Sequence, residues 1–173
     1  MSETPVLLER LITGDEQETD YLHVLGVDSY SGDPLDFARK GIRVDVGGAP
    51  TFSYERWFRF KFDWPFTFVR DFHFYAPNLV VPSGWTFLWG QAETFSSPGR
   101  NQSIIATLPL PTTKTEEPNL GPFGEQLGDQ ERFTNWIVLQ ASVNGDQQPG
   151  PMMGFAGPAE PVYIDYRLEW TES

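Results

Sequence analysis

The stretch SYERWFRFKFDW, residues 53–64, alternates aromatic and charged side chains almost one for one. Successive side chains of a β-strand point to opposite faces, so this pattern places Phe58, Phe60 and Phe62 on one face. Trp57 falls on the other face, among charged residues. The stretch therefore predicts a central, half-buried strand whose phenylalanine face belongs to the core.

The same period of two recurs along the chain, with Gly, Pro and Asn punctuation between the runs. Further predicted strands are YLHVLGV (21–27), IRVDV (42–46), DFHFY (71–75), WTFLWG (85–90), SIIATL (103–108), NWIVLQASV (135–143) and VYIDYRLEW (162–170). Only DPLDFARKG (33–41) has helix start and stop signals, over two turns at most. Many short strands with turn chemistry between them predict an all-β fold: a single antiparallel β-sandwich, jelly-roll-like in its connections.

A chain of 173 residues is typical of one domain. We expect the β-sandwich to span residues 21–173, preceded by an irregular N-terminal arm over residues 1–20 that is acidic after a short apolar patch. Residues 109–131 are rich in Pro, Gly and acids and predict a long loop, and ordered loops of that length are often functional.

The formal net charge of −12 bounds the partners. An acidic surface repels phosphate backbones and anionic lipid headgroups, so we expect neither nucleic acid nor a membrane as partner. No apolar run approaches the length of a membrane span. The chain has no cysteine, which excludes disulfides and thiolate metal sites and fits folding in a cytoplasm.

Residues that could carry catalysis are sparse. His23 and His73 have no companions at metal-ligand or triad spacing, and we expect ordinary sheet histidines, with no metal, cofactor or catalytic residue. Glu93 is the best candidate acid for glycoside hydrolysis, with Glu131 or Asp129 as partner, but nothing fixes their spacing. We expect these three residues to be solvated acids in loops.

Tryptophan side chains are the other candidates for a binding site. Trp57, Trp85 and Trp89 could form a platform on which a sugar stacks, although we expect Trp85 and Trp89 to be core. Trp57, on the charged face, is better placed for an interface.

The order of five segments resembles a family of tailed-bacteriophage virion structural proteins, which are small β-sandwiches. The segments are SYERWFRFKFDWPFTFVRDFHFYAPN, GWTFLWGQAETF, SIIATLPLPT, NWIVLQASVNGDQQPGPM and VYIDYRLEWTE. The resemblance covers roughly residues 50–171. The chain departs from it at Trp64 and Pro65, where a glycine is more usual, and in its longer loop at 109–131. No functional residue carries over.

The resemblance implies a non-enzymatic capsid decoration or cement protein on the virion exterior, made in the host cytoplasm. Its partners would be the major capsid protein or other virion proteins, and it would form a homo-oligomer, with a trimer favoured. The expected partner-binding residues are Val6, Leu7, Leu8, Leu11 and Ile12 of the arm, and Trp57. The alternatives are a tail, adaptor or baseplate component of the virion, or a carbohydrate-binding β-sandwich module.

Overall fold

The computed structural model describes residues 3–11, 14–25, 49–81, 83–96, 103–128, 131–145 and 162–173. Within these ranges the chain forms strands and no helix. The strands are β1 (Val6–Arg10), β2 (Glu16–Glu18), β3 (Leu22–Leu25), β4 (Thr51–Phe52), β5 (Arg56–Phe62), β6 (Phe68–Tyr75), β7 (Trp85–Ala92), β8 (Leu108–Pro109), β9 (Gln126–Leu127), β10 (Arg132–Phe133), β11 (Trp136–Val143), β12 (Val162–Ile164) and β13 (Arg167–Glu172).

The strands pair antiparallel in three groups. The large sheet has the order β2-β1-β5-β11-β7-β8, with β10 also on β5 and β4 on β11. The small sheet has the order β13-β6-β9, and β12 pairs with β3. The prediction of an all-β, antiparallel fold is confirmed, and the sheets are compatible with a sandwich. The jelly-roll connection pattern stays a prediction.

The main core is built from the side chains that the period of two places inward. Phe58 and Phe60 of the large sheet are fully buried, and so are Phe72 and Phe74 of the small sheet. All four belong to one apolar cluster, to which Trp170 of β13 adds its ring. The core therefore takes its side chains from both sheets, and the predicted phenylalanine face of β5 is confirmed.

The N-terminal residues differ from the irregular arm that the sequence predicted. Residues 6–10 form β1, which pairs with β5 so that Leu7 lies opposite Phe60 and Glu9 opposite Phe58. Leu7, Leu8 and Glu9 are all buried. A strand buried on both faces shows no alternation, which is why the pattern read as an unstructured apolar patch. A boundary at residue 20 thus does not separate an arm from the sandwich.

Two further strand predictions need correction. In residues 103–108 only Leu108 is in a strand, because Ile105 and Ala106 pack against the outer face of the large sheet instead of joining an edge. The stretch 162–170 is interrupted at Asp165 and Tyr166, so that β12 pairs with β3 and β13 with β6. The predicted strand at 42–46 and helix at 33–41 lie outside the described residues.

Candidate interaction surface

The residues predicted to bind a partner are mostly inside the protein. Leu7, Leu8 and Trp57 have exposures of 4%, 7% and 0%. Val6 and Leu11 are half-buried, and Ile12 lies outside the described residues. The apolar patch therefore contributes to the large sheet, and the prediction of Trp57 as an exposed interface residue is wrong.

Trp57 is buried because a second apolar cluster covers the outer face of the large sheet. Its ring makes edge contacts with Phe95 at 5.0 Å and Trp136 at 6.2 Å between centroids. Ala106 and Ile105, which follow the strand β7, also pack in this cluster. The burial of aromatic surface area stabilises the packing of Trp57 in this cluster. The charged neighbours of Trp57 on β5 do not prevent its burial, because they lie at the margin of the cluster.

Two arginines close the margin of that second cluster. The guanidinium carbon of Arg10 lies 4.1 Å from the ring centroid of Phe95. Arg59 lies 3.8 Å from the ring centroid of Phe133 and 4.5 Å from that of Trp136. These cations pack over the rings and shield them from water.

The three tryptophans considered as a sugar platform do not form one. Trp57 and Trp89 are buried, and Trp85 is half-buried against the main core. A sugar-binding ring must offer a face to solvent, so the predicted platform has no support in this geometry.

The segment that covers Trp57 is held by a buried carboxylate. Glu55, which is 1% exposed, accepts hydrogen bonds at one oxygen from three successive backbone N–H groups. The distances from its Oε1 are 2.8 Å to Ile104, 2.6 Å to Ile105 and 3.0 Å to Ala106. Three convergent amides form a concave anion site in the backbone, here occupied by the protein's own side chain.

Solvent-exposed apolar side chains concentrate in one connection between strands. Of the seven large apolar side chains that are exposed among the described residues, four lie between residues 103 and 128. We call residues 103–128 the connecting segment. The four are Ile104, Leu108, Phe123 and Leu127.

The middle of the connecting segment is fixed to the small sheet by side-chain hydrogen bonds. Asn119 donates to the carbonyl of Phe74 at 2.8 Å and accepts from its N–H at 2.7 Å, like a strand partner. Leu120 is fully buried in the main core. Gln91 of β7 accepts from the N–H of Gly121 at 2.8 Å and donates to the carbonyl of Asn119 at 3.1 Å.

The end of the connecting segment is equally restrained. Leu127 in β9 pairs with Phe68 of β6. At Gly128 a Cβ atom would lie 2.2 Å from the carbonyl oxygen of Phe66, so only glycine permits this approach. Between these anchors, Gly124 has a φ of +96° and turns the chain beside Phe123. The backbone on both sides of the exposed Phe123 is therefore restrained.

The charges on the connecting segment are mainly negative. Lys114 pairs with Glu169 of β13, with 3.4 Å between Nζ and Oε2. Glu116, Glu117 and Glu125 are exposed, and none has an ion-pair partner among the residues that the structure describes. The segment thus combines exposed apolar side chains with uncompensated carboxylates.

Two titrating groups beside the segment have displaced pKa values. Burial raises the pKa of Tyr75, and its hydrogen bond with Glu169 adds to the rise. The pKa of Asp165 lies below its usual range, chiefly because Asn78 donates a hydrogen bond of 2.8 Å to its carboxylate. The Tyr75–Glu169 hydrogen bond connects β6 with β13, and the Asn78–Asp165 hydrogen bond connects the turn after β6 with the residues between β12 and β13.

The candidate catalytic residues that the structure describes lie at separate places. His23 is buried with its Nε2 at 3.3 Å from Oε2 of Glu9, a satisfied interior histidine, and His73 is also buried rather than outward. Glu93 is exposed. Within the described ranges, no group of three His, Asp or Glu side chains could hold a metal ion.

In the part of the chain that the structure describes, no helix is long and apolar enough to cross a membrane. Comparisons of the chain with protein-family models, with curated proteins and with solved structures give no match.

The sequence predicted the loop that carries part of this surface, but not which of its side chains are exposed. The Pro/Gly-rich composition of residues 109–131 predicted a long, functional loop. It did not show that Phe123 and Leu127 face solvent, because their exposure depends on contacts of Leu120 and Gly128 with distant residues. The signal that could have found them is a pair of apolar residues within an otherwise polar, glycine-rich loop.

Proposed function

We propose that this chain is a non-enzymatic structural protein of a tailed-bacteriophage virion, bound as a decoration or cement protein on the capsid exterior. The observation that supports this proposal is the connecting segment, which presents Ile104, Leu108, Phe123 and Leu127 to solvent from a restrained backbone. Apolar side chains displayed in this way are typical of protein interfaces, because little conformational entropy remains to be lost on binding.

The family resemblance of residues 50–171 adds the virion context. The partner would be the major capsid protein or another virion protein, and the chain would act as a homo-oligomer, with a trimer favoured. Binding between capsid subunits would stabilise the head by mass action, since the bound state is available only to the assembled particle. The net charge of −12 would keep the free protein soluble and away from the packaged DNA before it reaches the capsid in the host cytoplasm.

The experiment is the copy number of the chain in purified virions, measured by quantitative mass spectrometry against the major capsid protein. A copy number approaching that of the capsid protein is expected for a decoration lattice. A handful of copies per particle would assign the chain to the tail, an adaptor or the baseplate instead. Absence from the particle would overturn the structural role.

A second measurement tests the mode of action. Virions assembled without this chain should lose their DNA at a lower temperature than complete virions, and adding the purified protein back should restore the difference. Phe123→Ser protein should restore less than wild-type protein, because it removes the one aromatic ring of the connecting segment, which is exposed. Val80→Ser is the matched control, since Val80 is exposed but lies outside that segment.

A further inference from the structure

We propose that the loop of residues 121–128 binds a protein surface that is apolar at its centre and basic at its rim. This inference rests on the proposed function, to which it adds the chemistry of the partner's surface. It commits to a different protein as the occupant, not a second copy of this chain.

The apolar part of the recognition is carried by two side chains. Phe123 is 64% exposed, and Leu127, which ends β9 four residues further along the chain, is 58% exposed. Aromatic side chains with a surrounding apolar contact are the common anchors of protein interfaces. An apolar surface on the partner that covers these side chains would remove them from water.

The loop is already in a fixed shape before binding. At its start the carbonyl of Gly121 accepts from the N–H of Asn135 at 2.6 Å, and at its end Gln126 pairs with Val69 of β6. Neither Gly121 nor Gly128 has room for a Cβ atom, because Asn135 and Phe66 lie against them. A partner therefore meets a preformed surface, and the ordering entropy that weakens most loop interactions is small here.

Charge selects the kind of partner. Glu125 lies between Phe123 and Leu127 in the sequence and is exposed, and the exposed Glu116 and Glu117 precede the loop on the same segment. Lys114, the one cation described on that segment, is already paired with Glu169. A second copy docking by the same loop would bring Glu125 towards its own counterpart, whereas Lys or Arg at the rim of a partner would complement it. The oligomer of the proposed function would then form through another face.

The experiment is selection of peptides from a displayed random library on the immobilised full-length chain. We expect the selected sequences to have an apolar centre flanked by Lys or Arg. One selected peptide is then synthesised, and its Kd is measured by fluorescence anisotropy at low and high salt. Phe123→Ser should weaken binding by about tenfold or more. Glu125→Gln should weaken binding less and reduce its salt dependence.

Val80→Ser serves as the control, because Val80 is 73% exposed and lies on a different connection. It should bind the peptide like the wild type, and thermal unfolding of each variant should match that of the wild type. Selection of acidic or uncharged peptides, or binding that is indifferent to Phe123→Ser, would overturn the inference. A self-association in sedimentation velocity that Phe123→Ser abolishes would also overturn it, in favour of a second copy.

The selection uses the isolated chain, so its outcome is separate from that of the virion measurement. Basic peptides selected through Phe123, together with absence of the chain from virions, would retain this inference and remove the proposed function. Presence of the chain in virions, together with peptide binding that Phe123→Ser does not weaken, would retain the proposed function and remove this inference.

Discussion

The carboxylate of Glu55 accepts a hydrogen bond of 2.6 Å from the backbone N–H of Ile105, fifty residues further along the chain. Through this contact, a single side chain at the start of β5 fixes the segment that buries Trp57. Glu55→Ala should lower the free energy of unfolding by about 2–4 kcal/mol, because it leaves buried amides without their charged acceptor. Urea unfolding measures this loss.

Glu55→Gln separates the charge from the hydrogen bonds. It keeps an acceptor oxygen and should lose about 1 kcal/mol. Glu93→Gln, at an exposed carboxylate, is the control and should stay within about 0.5 kcal/mol of the wild type. Equal unfolding midpoints for Glu55→Ala and Glu93→Gln would contradict the role given to Glu55.

Trp57 should be a stability residue and not a binding residue. Trp57→Ala should lower the free energy of unfolding by about 3–5 kcal/mol, because it empties the centre of the second cluster. Trp57→Phe should lose less, since the indole Nε1 has no hydrogen-bond partner among the described residues and no bond is removed. Chemical denaturation of both variants gives the comparison, and a stable Trp57→Ala protein that fails only in partner binding would refute this reading.

The N-terminal strand should be required for stability. Leu7→Ala should lower the free energy of unfolding by about 2–5 kcal/mol, because Leu7 is buried opposite Phe60 in the main core. Glu3→Ala, at an exposed position before β1, should have no measurable effect. If Leu7→Ala left the urea midpoint unchanged, residues 6–10 would behave in solution as the free arm that the sequence suggested.

Asp71 has a φ of 58° in the middle of β6, in the left-handed region that favours glycine. Asp71→Gly should be neutral or more stable by up to about 1 kcal/mol, whereas Asp71→Val should lose about 1–2 kcal/mol. Arg70→Ala removes the surface ion pair, whose Nε–Oδ2 distance is 3.4 Å, without touching that backbone. Thermal unfolding of the three variants separates the ion pair from the backbone effect.

The pKa of Asp165 should depend on Asn78. Asn78→Ala should raise the pKa of Asp165 towards the ordinary aspartate value, because the donor that favours the carboxylate is lost. A lowered pKa in the folded state stabilises the fold above the ordinary aspartate pKa, and this contribution disappears as the pH falls through the lowered pKa. Asn78→Ala should therefore be less stable than the wild type at neutral pH, and this difference should disappear in acid.

Carbon-13 NMR titration of the Asp165 carboxyl group measures this pKa directly. Asn144→Ala, at an exposed residue after β11, is the control and should leave the titration in place. An unchanged pKa in Asn78→Ala would assign the shift to Arg167, the cation beside Asp165.

Much of the fold could be predicted because phenylalanines recur at every second position in β5 and at the end of β6. Phe58 and Phe74 alternate with charged or polar residues, and a period of two leaves few other choices. The predictions for β1 and for Trp57 failed because these residues do not follow that alternation. Leu7 and Leu8 are both buried, so β1 carries no alternation. Trp57 sits among charged residues in the sequence, and residues distant in the chain, among them Phe95, Ala106 and Trp136, bury it.

The interaction surface was less predictable than the fold, because exposure is not a local property. Phe123 is apolar like the buried phenylalanines, and its exposure of 64% follows from the contacts that its neighbours make. Those contacts, from Leu120 to Phe72 and from Gly121 to Gln91, join residues far apart in the chain. Composition identified the loop, and tertiary packing decided which of its side chains reach solvent.

The position of β5 has a consequence for how the chain is made. One edge of β5 is completed by β1, which leaves the ribosome first, and the other by β11, which leaves it much later. Until then the nascent chain presents an aromatic strand with an open edge, a template for intermolecular pairing. Pairing between distant segments also slows folding. The net charge of −12 has a consequence at this stage. Repulsion between the surplus carboxylates opposes association of incomplete chains before β11 pairs with β5.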